Sequence, residues 1–137
     1  MPSPEPTTAN GRTIAEMYRA FARGDVDYVM DQLHPDMDWI ETESERVPIH
    51  GHSASPGDVL ENVFAQVPEH FASFELQPQL WVESGDDVVV TGRLRARTHA
   101  GRDLDAPYAH VFSLRDGKVC RNENHHDTAL WLAAFDN

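Results

Sequence analysis

The main change in the period of apolar residues along this chain falls at Phe71, and that change restricts the fold more than any other feature. Before it, apolar residues recur at helical spacing. Ile14, Met17, Tyr18 and Phe21 fall on one helical face, and Val26, Val29, Met30 and Leu33 repeat the spacing. Thr13 and Glu16 form a capping-box pattern that starts the first helix. Gly24 stops it, Asp25 caps the second, and His34-Pro35 ends that one. Met37 to Thr42 alternates and predicts a short strand, and Arg46 to Ala54 is a loop. Ser55-Pro56 opens a third helix, whose buried face is Leu60, Val63, Phe64 and Val67. Pro68 distorts its end.

After Phe71 the period is two. Phe74–Glu83 is a strand in which Pro78 implies an edge or a bulge. Val88–His99 is a long two-faced strand: Val88, Val90, Gly92, Leu94 and Ala96 on one side, Arg93, Arg95 and Arg97 on the other. Asp105–Arg115 follows, and Asp116-Gly117 is a hairpin signal leading into Lys118–His126. Asp127 caps a short C-terminal helix carrying Leu130, Trp131 and Phe135. The order implies an α+β fold: a cone-shaped, curved antiparallel sheet closed by three N-terminal helices, with a short C-terminal helix. Such a cone has an apolar interior. The chain of 137 residues suffices for one domain, expected over residues 12–137, behind a floppy tail of residues 1–11.

The charge balance narrows the partners. A formal net charge of −12 disfavours nucleic acid and anionic membranes, which need Lys/Arg patches. A neutral or cationic small molecule stays open. Cys120 is the single cysteine, so an internal disulfide and a Cys-based zinc site are excluded. No apolar run reaches membrane-spanning length, and the N-terminus lacks a basic segment followed by an apolar one. A cytoplasmic location is the default.

Three stretches carry a resemblance to a known family: 20–25 (AFARGD), 33–39 (LHPDMDW) and 110–119 (HVFSLRDGKV). With them the chain, over roughly Thr13 to Trp131, resembles the SnoaL-like and ketosteroid-isomerase-like branch of the nuclear-transport-factor-2-like superfamily. That fold hosts isomerases, cyclases, dehydratases, epoxide hydrolases and proteins without catalysis. The resemblance implies positions. The carboxylate base of the steroid isomerases corresponds to Glu41. Their oxyanion-stabilising acid, a device in which an apolar site keeps a carboxylic acid neutral, corresponds to His110. Their oxyanion tyrosine falls on Met17, with Tyr18 one residue later. The acid–base aspartate of SnoaL-like cyclases falls on Asn124.

The residues themselves point partly the same way. Tyr108, His110, Phe112 and Leu114 share one strand face, so His110 should follow Phe112 into the core. Glu41 shares a face with Met37 and Trp39. On the last strand Cys120, Asn122, Asn124 and His126 form one face and Val119, Arg121, Glu123 and His125 the other, and composition does not choose between them. The expected catalytic set is Glu41, His110 and Asn124. The expected substrate-binding set is Tyr18, Trp39, His50, Phe64, Tyr108 and Phe112, with His50 at the mouth. His50/His52 and His125/His126 lack the spacing of a metal site, so no metal and no cofactor is expected. Two functions stand side by side: an enzyme without a cofactor, moving protons on a largely apolar cyclic carbonyl or hydroxyl compound, and a non-catalytic ligand-binding or dimerisation module. Glu41 and His110 on one empty cavity would favour the enzyme. A homodimer is expected through the outer sheet face, where Ala109, Val111 and Ser113 lie beside Val89 and Thr91.

Overall fold

A computed structural model describes residues 2–135. Met1 of the expected tail, and Asp136 and Asn137 at the expected domain end, lie outside the described residues. Helix α1 (Ala9–Ala22) is followed by α2 (Val26–Asp31), strand β1 (Leu33–Ile40) and the two-residue β2 (His52–Ser53). A single helical run then covers α3 (Pro56–Val59), a π-turn (Leu60–Phe64) and α4 (Gln66–His70). Four long strands come next: β3 (Phe71–Ser84), β4 (Asp87–Thr98), β5 (Asp103–Arg115) and β6 (Lys118–His126). Helix α5 (Thr128–Phe135) completes the described chain.

The six strands form one curved, unclosed sheet in the order β2-β1-β6-β5-β4-β3. The meander from β3 to β6 is antiparallel throughout. One pair departs from the expected antiparallel sheet: β1 runs parallel to β6. The two helices before β1 and the helical run after β2 cover one face of the sheet and let the early strand dock beside the last one. Asp116 (φ 55°) and Gly117 (φ 76°) form the β5–β6 turn, both left-handed as a two-residue hairpin requires. Pro78 sits on the edge strand, next to a register shift at 78–80. An edge strand beside a bulge tolerates a residue that has no N–H to give to the ladder.

Burial follows the period of two. Val88, Val90, Leu94 and Ala96 are buried, while Arg93, Arg95 and Arg97 reach Asp105 and Asp103 across the outer face. Gly92 is required where it stands. A Cβ there would lie 2.8 Å from the Tyr108 hydroxyl and 2.2 Å from the Gln77 carbonyl oxygen, so only glycine lets the Tyr108 ring rest on β4.

Several boundaries differ from the sequence reading. Helix α1 starts at Ala9, and its cap is Thr8, whose hydroxyl accepts from the Gly11 N–H at 3.0 Å. Thr13 lies inside the helix. Residues 3–8, expected to be floppy, are held. Ser3 bridges to Trp81, and the Glu83 carboxylate accepts four hydrogen bonds from the backbone and hydroxyls of Thr7 and Thr8. No local pattern announces this clasp, because Glu83 is 75 residues away from Thr8. Helix α2 stops at Asp31, short of His34-Pro35, and Leu33 opens β1 opposite Val119. In the third helical run Leu60 is 42% exposed and Val59 is fully buried. The π-turn, closed by the Ala65 N–H on the Leu60 carbonyl at 2.8 Å, adds a residue to the turn and rotates the face. Pro68 follows it, and has no N–H to offer residue 64.

Candidate active site

The inner face of the sheet, α1 and the third helical run enclose one apolar cavity. The space that the centre of a water molecule can reach inside it is ≈ 80 Å³, room for several waters or a small ring. Strand pairing sets its polar row. Tyr108, His110 and Phe112 on β5 lie directly opposite His126, Asn124 and Asn122 on β6. β1 places Trp39 beside Asn122.

Glu41 follows β1 by one residue and keeps the inward direction of Met37 and Trp39, as the alternation requires. Its backbone is clamped by the Gly51 carbonyl at 2.9 Å. The side chain is 3% exposed, and both of its oxygens are engaged. Oε1 accepts from Trp39 Nε1 at 3.1 Å and from Asn124 Nδ2 at 2.8 Å. Oε2 lies 2.8 Å from His126 Nε2. Three donors on one buried carboxylate offset much of the cost of removing it from water.

His110 is built differently. Its ring stacks on Tyr18 and lies 4.3 Å from the Tyr108 ring centre. Nδ1 is 2.5 Å from the Tyr18 hydroxyl. Burial, and then the repulsion that His126 and His125 exert when protonated, hold His110 well below the usual imidazole pKa. Burial, and then Tyr108, pushes the Tyr18 hydroxyl well above its ordinary value. Both groups are therefore neutral. The Tyr108 hydroxyl is the other polar group beside Tyr18; in the arrangement in which the Tyr18 hydroxyl donates to Nδ1, the lone pair of that ring nitrogen is used. The proton of the imidazole then sits on Nε2. Burial raises the Tyr108 hydroxyl as well.

The wall holds an unusual set of polar atoms. Among the described residues, the buried side-chain nitrogens and oxygens without a partner are Tyr108 OH, both Asn122 amide atoms, Asn124 Oδ1, His126 Nδ1 and Trp131 Nε1. All five residues line this one cavity. Buried polar atoms are normally satisfied, and here the orphans collect where a ligand would sit.

Of the sequence-derived residues, Glu41, His110, Asn124, Tyr18, Trp39, Phe64, Tyr108 and Phe112 all line the cavity. His50 does not. It is exposed, with Nδ1 2.7 Å from the Val47 carbonyl, and Ile49 takes the inward position of that loop. Loop residues have no fixed alternation, so spacing from Glu41 could not place it. The face of β6 that carries Asn124 is the inner one. A register shift beside Cys120 also turns Val119 inward, which simple alternation puts on the outer face. His126 and Trp131 were missed as site residues. The available signal was His126 on the Asn124 face, but its partner Glu41 is 85 residues away. Among the described residues, no group of three His, Cys, Asp or Glu side chains is placed to hold a metal ion, and no helix is long and apolar enough to cross a membrane. His52 pairs with Asp38, and His125 faces Glu123, away from the cavity.

The SnoaL-like domain family matches residues 14–122. The chain belongs to this family. Solved structures agree over almost its full length. A protein of unknown function, described as NTF2-like, from Burkholderia pseudomallei K96243 is 29% identical, with a TM-score of 0.89 over 96% of this chain and 100% of that one. TerC, co-crystallised with polyporic acid, is 27% identical, with a TM-score of 0.85 over 93% and 98%. A putative SnoaL-like polyketide cyclase from Jannaschia sp. CCS1 is 20% identical, with a TM-score of 0.78 over 92% and 90%, and shares the fold. Among curated proteins, none matches the chain.

Proposed function

We propose that this SnoaL-like protein is a small-molecule enzyme that moves protons on a largely apolar cyclic carbonyl or hydroxyl compound, by an isomerase, cyclase or dehydratase type of reaction. The observation that carries this reading is that Glu41, just after β1, and His110, on β5, line one cavity from either side of β6. The Glu41–His126 pair supplies a proton carrier at one end. His110, neutral and with its proton on Nε2, supplies a hydrogen-bond donor to a developing oxyanion. The aromatic wall fits a ring, and the orphaned amide, indole and phenol groups fit polar substituents on it. TerC, which shares the fold, was co-crystallised with polyporic acid, and this supports a small organic molecule as the ligand.

The chemistry follows from the placement. A proton leaves a carbon next to a carbonyl, and the electron pair moves onto the carbonyl oxygen, where His110 Nε2–H holds it. Return of the proton to another carbon completes an isomerisation, and loss of a neighbouring hydroxyl as water completes a dehydration. The test is a screen of cyclic ketones in heavy water, read as deuterium uptake beside the carbonyl. Uptake that is saturable and lost in Glu41→Gln is expected. A panel in which nothing binds or exchanges points instead to the non-catalytic module. The partly polar outer face, with Val89, Thr91, Ala109, Val111 and Ser113 half-buried in the single chain, suits pairing of two copies. Light scattering should give a dimer at micromolar concentration.

A further inference from the structure

We propose that the proton carrier of this site is Nδ1 of His126, and that Glu41 is its positioning residue; this rests on the proton-transfer reading above. A base needs a lone pair left over for substrate. Glu41 has little to spare: its two oxygens receive the Trp39 indole, the Asn124 amide and the His126 imidazole. An ionised carboxylate can only accept, so the 2.8 Å contact with Oε2 requires the hydrogen of His126 on Nε2. The lone pair of the neutral ring is then on Nδ1. That atom is buried and has no partner among the described residues. The ring is fixed on its other side by Trp131, with centroids 4.8 Å apart, and Trp131 is itself part of the cavity wall. Carboxylate, imidazole and unpartnered nitrogen are thus linked in a residue pair that lines the cavity.

The surrounding groups are consistent with this division. Glu41 faces His126 from the loop after β1, and His110 faces it from β5 with ring centres 6.5 Å apart. Tyr108 is its partner across the β5–β6 ladder. His125, next along the chain, points outward to Glu123. In the reaction the substrate C–H bond breaks, its proton goes to Nδ1, and the pair goes to the carbonyl oxygen beside His110. The imidazolium formed is held by the Glu41 carboxylate until the proton is returned.

The probe is 5-nitrobenzisoxazole, a flat ring whose ring-opening needs only a base. The proton goes to Nδ1, the N–O bond breaks, and the pair leaves on the phenolate oxygen. His126→Ala should lose at least about a hundredfold and recover part of it with added imidazole, whereas Glu41→Gln should not be rescued. His126→Asn at near wild-type rate, in a protein that melts normally, would overturn the role of His126 alone. A wild-type protein inert to the probe would overturn the proton-transfer reading and this assignment with it. Nitrogen NMR of the imidazoles in the ligand-free protein gives a separate reading. The hydrogen of neutral His126 is expected on Nε2, and its presence on Nδ1 would sink the proposal.

Discussion

The two polar ends of the cavity reach the same degree of burial by opposite means. At the β1–β6 end, Glu41 is enclosed by three donors, and hydrogen bonds hold the group in place. At the α1–β5 end, Tyr18 and His110 share one short hydrogen bond, and desolvation holds both neutral. A single apolar cavity can therefore hold a carboxylate acceptor and neutral donors in its one wall. What differs is the number of preorganised partners, and that number is set by strand pairing.

The comparison can be broken most severely at the charged end. Glu41→Gln should keep the fold and lower turnover by at least about a hundredfold. Near wild-type turnover in a folded Glu41→Gln protein would make the carboxylate a wall of the pocket only. At the neutral end His110→Gln should cost less, because the glutamine amide still offers a donor; complete loss of one oxyanion donor costs about 100-fold to 1000-fold. If its loss exceeds that of Glu41→Gln in parallel assays, the two ends have been ranked wrongly.

Stability sharpens the same contrast. Tyr18→Phe leaves the His110 Nδ1 atom buried and unpaired, at a cost of about 1–3 kcal/mol in urea unfolding. His110 also sets a pH dependence. Its folded pKa lies below the usual 6.5, so below that pH the unfolded chain binds the proton first. Stability should fall as pH drops from 6.5 toward the lowered value. His110→Gln should flatten that limb of the Tm–pH curve, and an unchanged limb would assign it to another group.

The smallest effect on turnover belongs to the clasp outside the cavity. Burial alone would raise Glu83, but the hydrogen bonds from Thr8 and Thr7 outweigh it and lower it to about 2. Its contribution is present above the usual 4.5 and is lost as pH falls through about 2. Thr8→Ala should cost about 1 kcal/mol through the lost cap and leave turnover unchanged. A large loss of turnover would show that the N-terminal clasp positions Tyr18.

Much of this molecule is written in its local patterns. The alternation of Val88, Val90, Gly92, Leu94 and Ala96 determined the inner face of β4, because a pleated strand has no other way to bury them. The same rule turned Glu41, His110, Phe112 and Tyr108 inward. Helix α5 and the Asp116-Gly117 turn were legible from a cap and a dipeptide. The contacts that make the site were not. Glu41 meets Asn124 and His126 only because β1 docks parallel to β6, a pairing between segments some 80 residues apart. The exposure of Leu60, the inward turn of Val119 and the outward place of His50 depend on a π-turn, a bulge and a loop, each of which breaks the periodicity that sequence reasoning counts. The sequence by itself determined which residues share a face of each regular strand or helix, since side-chain direction is a property of the element. Only the tertiary structure decided which of them touch, since hydrogen bonds across the sheet depend on the register between strands distant in the chain.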